Sequence, residues 1–202
     1  MNYPDFFDAV PKITLYDPLA HFLGATSDGI LQYGYIDAVR LAGHSCPTVA
    51  AAYGATGKAL AFLYPDAMPV RGDIRVEFSQ ESISGVTGVI ANVVSMLTGA
   101  MSDDGFKGIG ARFERRMRLF FAVEIPGEMR FTRLDTGQAV QVTTNLQRVP
   151  ASPRLPALMA GCLSGTATAA ETAEFRQLWQ ARVQSILLEH GDDPDLFIVT
   201  PD

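Results

Sequence analysis

Gly43-His44-Ser45-Cys46-Pro47-Thr48-Val49-Ala50, continued by AAYGATGKALAFL over residues 51–63, is the stretch on which the reading of this chain turns. Gly43 ends one helical run, Tyr35 to Leu41, because glycine tolerates the left-handed conformation in which helices commonly stop. Pro47 opens the next, since a proline at the first helical position forfeits no hydrogen bond. That second helix should run from Thr48 to about Leu63, before Pro65. One face carries Ala50, Ala51, Gly54, Ala55, Gly57 and Ala59. Two glycines inside a helix are costly, so this face is expected to lie close against a sheet or another helix.

Outward from there, Gly72 to Ser79 alternates polar and apolar residues, as a half-buried strand does. A second apolar helix spans Val86 to Leu97 and should stop at Gly99. After the glycine-containing loop Asp104 to Gly110, strand-like runs occupy 111–115, 117–124, 129–134 and 139–145. Pro150, Pro153 and Pro156 mark a linker, and helices are expected at 155–163 and about 169–189. Upstream, Asp17 reads as the N-cap of a short helix reaching Leu23, with Pro18 at its first position. The expected fold is α+β: a two-layer domain with helices packed on one mostly antiparallel or mixed sheet. Residues 1–150 would form this domain, and 151–202 a helical C-terminal extension of it.

Composition fits that picture. Of 202 residues, 48% are hydrophobic and 19% charged, enough apolar material for a real core. The net charge of -6 argues against a dedicated nucleic-acid surface. No stretch reaches the length of a membrane span, and the N-terminus lacks the basic and apolar pattern of a signal peptide. Two cysteines, Cys46 and Cys162, are expected as reduced thiols in a cytoplasmic protein. An apolar C-terminal helix and a possible free sheet edge point to a homodimer.

The chemistry concentrates in His44-Ser45-Cys46. Imidazole and thiolate are donors suited to zinc, iron, nickel or copper. Cys46 sits just ahead of a helix whose unpaired N–H groups favour a thiolate. The same two residues also read as a capping histidine and a small packed thiol. Gly43-His44-Ser45-Cys46-Pro47, with the small-residue helix, the strand, the helix ending Leu97-Thr98-Gly99 and the loop containing Gly105, Lys107 and Gly108, resembles the FmdE family of formylmethanofuran dehydrogenase. The resemblance covers roughly residues 33–125. It implies a two-layer α+β domain carrying a metal, often zinc, on the motif's histidine and cysteine.

The chain departs from that pattern near Val89–Asn92 and Gly99–Met101, where typical members have further cysteines. It also lacks the C-terminal Cys-x-x-Cys ribbon that many relatives append. Another ligand must therefore be recruited, or the site stays open to solvent or a small ligand. His21 is the first choice of donor, a surface histidine on a short helix being its equal alternative reading. Asp37 and Glu81 rank lower. His190 is better explained by a helix C-terminus, and Cys162 by packing. The leading expectation is a transition-metal site on His44, Cys46 and His21, with zinc as the first choice of ion, a small-molecule ligand possible and no reaction assigned. The alternatives are haem or another redox cofactor with His44 or Cys46 as axial ligand, and a thiol enzyme with Cys46 as nucleophile. Arg112, Arg115, Arg116 and Arg118 form a basic patch that reads as an anion-binding strand face or, more readily, as a carboxylate-paired one.

Overall fold

Residues 2–202 are described by a computed structural model. The helix opened by Pro47 is the fold's central beam: α4, Pro47–Leu63, follows α3, Tyr35–Ala42. Before them come α1 (Phe6–Ala9), β1 (Ile13–Tyr16), α2 (Pro18–Phe22) and β2 (Ile30–Tyr33). Beyond α4 lie β3 (Ile74–Phe78), α5 (Thr87–Thr98), β4 (Leu119–Phe120), β5 (Met129–Arg133) and β6 (Ala139–Thr144). The chain closes with α6 (Leu155–Ser164), α7 (Ala169–Gln184), a π-helical turn at Ser185–Glu189 and β7 (Phe197–Pro201).

The main sheet has the order β4-β3-β5-β6-β7, parallel between β3 and β4 and antiparallel elsewhere. Its register puts Val76 opposite Phe131 and Phe131 opposite Val140, all fully buried. Alternation then sends Glu77, Arg130 and Gln141 to the other face, where they stand in one cross-strand row. Arg130 donates to Glu77 at 2.8 Å. One face is therefore apolar and covered by helices, the other a polar ladder, which is the two-layer α+β arrangement the sequence implies.

The two glycines of α4 are spent on close approach, as expected. A Cβ on Gly54 would lie 2.5 Å from the Phe197 ring, and one on Gly57 would touch Ile13. The C-terminal segment adds more than helices, because β7 brings Phe197 back beneath α4 and extends the main sheet alongside β6. Helices α3 and α5 end as expected at Gly43 and Gly99, both left-handed, with φ of 74° and 73°.

Two expectations are corrected. Residues 111–115 form no strand, and 117–124 contributes only the two residues of β4. The Arg/apolar alternation there is not a β pattern: Ala111, Phe113 and Met117 have positive φ, which turns the chain repeatedly. The small β1–β2 ribbon has no counterpart among the expected elements, because its four-residue strands are flanked by turns and offer little periodicity. Among the described residues, no helix is long and apolar enough to cross a membrane.

Candidate functional site

The turn between α3 and α4 is built in three steps. Left-handed Gly43 closes α3 by donating to the Val39 carbonyl at 2.9 Å. His44 then places Nδ1 2.9 Å from the Ala42 carbonyl. A carbonyl only accepts, so Nδ1 carries the proton of this bond. In the neutral ring Nε2 is then left with its lone pair, on a side chain that is exposed to solvent. Cys46 is the N-cap of α4, extended at φ -150° and ψ 167°, and its Sγ accepts the Val49 N–H at 3.4 Å. It is only 8% exposed.

Ser45, between them, ties the turn to the C-terminal helix. Its hydroxyl donates to Gln180 Oε1 at 2.9 Å, so the Tyr35 hydroxyl, 3.0 Å away, donates to Ser45 in turn. The Ser45 carbonyl accepts from Trp179 Nε1 at 2.9 Å and Gln180 Nε2 at 3.4 Å. Burial pushes the Tyr35 phenol well above its ordinary range, opposed by the Ser45 hydrogen bond and reinforced by the Cys46 sulfur. Tyr35 is therefore a fixed neutral donor rather than an acid–base group. Beside the turn lies an apolar cavity of about 300 Å³, with Phe7, Val39, Ser45, Phe175 and Trp179 in its wall.

Trp179 and Gln180 are the residues that sequence reasoning does not assign to the site. For Trp179 a signal exists, a lone tryptophan at helical spacing from Phe175. For Gln180, 135 residues from Ser45 in sequence, there is none. Replacing Trp179 with Phe keeps the ring surface and removes one donor. We expect destabilisation of about 1 kcal/mol and faster amide exchange at Ser45 and Cys46. An unchanged exchange pattern would mean that α7 does not hold the turn.

The other candidate residues lie elsewhere. His21, in the last turn of α2, is exposed, with Nδ1 3.0 Å from the Tyr16 hydroxyl. The chain climbs along α4, with Pro11 bonded to Tyr53 and Ile13 against Gly57. Tyr16 continues in that direction, to pair with Val70 beyond the C-terminal end of α4. A helix of 17 residues is about 25 Å long, so His21 belongs to the end of α4 away from His44 and Cys46. Asp37 is used locally, accepting from the Gly34 N–H at 2.9 Å and pairing with Arg40. Glu81 is exposed in the loop after β3. His190 pairs with Asp193 at 3.0 Å, and Cys162 is a half-buried free thiol near Thr172. Among the described residues no three His, Cys, Asp or Glu side chains gather as a metal cage.

The arginine patch is largely paired. Arg115 meets Asp17 at 2.8 Å, Arg116 meets Glu114 at 2.6 Å, and Arg112 stacks over the Phe113 ring at 4.7 Å. No protein-family model matches the sequence, and a comparison with curated proteins finds no match.

Proposed function

We propose that this chain is a metal-binding protein of the FmdE type, taking one borderline transition ion, zinc first, on His44 and Cys46. The observation that carries the reading is the lock on His44. Its Nδ1 is spent on the Ala42 carbonyl, which leaves Nε2 as the free donor of an exposed ring. A hydrogen bond from the second nitrogen is the usual means of orienting imidazole ligands at metal sites. The donor set, one imidazole and one sulfur, suits zinc or a similar ion. With only two protein donors, coordination is completed by water or a small-molecule ligand, and a bound ion would supply Lewis acidity to that ligand. The chain's own part is positional: Gly43 and Ala42 set the imidazole, Val49 holds the sulfur, and Trp179 and Gln180 fix the backbone between them.

The thiol-enzyme alternative fits less well. Cys46 is 8% exposed, which gives its sulfur little room for the approach of a bulky substrate, whereas an ion needs only one lone-pair direction. Alkylation by iodoacetamide separates the two readings. Protection that disappears on chelation supports the ligand role, and rapid labelling indifferent to chelator supports the nucleophile. A haem-type cofactor would instead announce itself as a Soret band in the purified protein.

The same proposal includes a homodimer. Leu163 is 83% and Ile83 87% exposed, and among the described residues β7 leaves one edge of the main sheet unpaired. Light scattering at micromolar concentration should return twice the chain mass, and a monomer would refute the dimer.

A further inference from the structure

We propose that Arg71, Arg115 and Arg118 form a binding site for a small tetrahedral oxyanion, phosphate or a phosphomonoester, in the cavity between the β1–α2 corner and the loop before β4. The cavity measures about 150 Å³ and is lined by Arg71, Gly72, Asp73, Glu114, Arg115 and Arg118, among others. At about 30 Å³ per liquid water, it holds a few waters or one such anion.

The charges around it do not cancel. Asp17, 3% exposed, accepts from Arg71 at 2.9 Å and from Arg115 at 2.8 Å. Arg71 also donates through Nε and Nη2 to the Met96 carbonyl, at 3.0 and 2.9 Å, and keeps one further N–H on each Nη. Among the described residues Arg118 has only Asp73, at 3.8 Å, too far for a hydrogen bond. Glu114 is already neutralised by Arg116. Three guanidiniums thus face two carboxylates, Asp17 and Asp73, and one positive charge is left over.

Arg115 belongs to the same wall. Its side chain is 7% exposed, yet its Nη1 is buried with no hydrogen-bond partner among the described residues. Buried guanidinium N–H groups are almost always paired, and an exception asks for an explanation. Two glycines make room for this nitrogen: a Cβ on Gly72 would sit 1.5 Å from it, and one on Gly99 2.6 Å. Gly72 belongs to the cavity wall. An oxyanion in the cavity accepts from Arg118 and answers the spare charge, Arg115 Nη1 itself lying behind the wall with almost no accessible surface.

Thermal unfolding of the intact protein in inorganic phosphate, against chloride at equal ionic strength, tests this. A dose-dependent rise in Tm is expected in phosphate, by preferential binding to the folded chain. Arg118→Gln should weaken the apparent phosphate affinity by about tenfold or more, the loss expected for one charged hydrogen bond. Arg112→Gln, whose guanidinium lies on Phe113 rather than in the cavity wall, should leave it unchanged. Glycerol phosphate acting as well as phosphate assigns a phosphomonoester, and its exclusion assigns the free ion. No phosphate-dependent rise, an equal loss in both variants, or an equal rise with acetate would each overturn the proposal.

Discussion

Replacing Asp17 with Ala should destabilise the protein by about 3–5 kcal/mol, because it strands two arginines at one buried point. Asp17 does two jobs. One carboxylate oxygen caps α2, accepting from Leu19 at 2.9 Å and Ala20 at 3.0 Å. The pair of oxygens also joins Arg71 and Arg115, which arrive from 54 and 98 residues away. Burial alone would raise its pKa, but the Ala20 N–H and the two guanidiniums outweigh that and hold it below the ordinary carboxylate value of about 4. Because the folded-state pKa is depressed, the contribution is complete above about pH 4 and is lost as pH falls through the lowered value. Asp17→Asn, which keeps an acceptor for the cap, should fall between wild type and Asp17→Ala, with a shallower acid transition. Urea midpoints measured from pH 7 downward check this, and an Asp17→Ala stability within about 1 kcal/mol of wild type would contradict it.

The second large effect, expected from the proposed metal site, is loss of metal. Cys46→Ser keeps an N-cap for α4 and removes the soft donor, so the fold should stay within about 1 kcal/mol of wild type while stoichiometric zinc disappears. His44→Ala should do the same, since its side chain is exposed and its hydrogen bond to Ala42 is local. His21→Ala and Cys162→Ala should leave the metal content unchanged, because neither side chain lies at the turn.

How much is legible in the sequence depends on how local each cause is. Helix α4 is legible because its start, stop and packing face are written in Pro47, Pro65 and its small residues. Asp17 is legible as an N-cap, since a cap reaches two or three residues. Its partners Arg71 and Arg115 are not, because nothing in the spacing of three distant residues says that a fold brings them together. The same holds for the turn itself. Gly43, His44 and Cys46 stand out by type and order, whereas Trp179 and Gln180 are supplied by tertiary packing of α7. His21 is a candidate for its chemistry alone, and chemistry carries no information about which end of α4 a residue occupies. The arginine run from 112 to 118 mimics a strand because period-two alternation is short-lived there, and the backbone reversals at Ala111, Phe113 and Met117 leave no sequence mark of the glycine kind.

The most direct test of metal binding is cobalt substitution of the apoprotein, followed by absorption. Bound at His44 and Cys46, cobalt(II) should give one equivalent of visible d–d bands with a thiolate-to-metal charge-transfer band in the near ultraviolet. The charge-transfer band should be absent in Cys46→Ser and the whole spectrum displaced by zinc. A titration that yields only the spectrum of the hydrated ion, or a charge-transfer band that persists in Cys46→Ser, would contradict a metal site on these two residues.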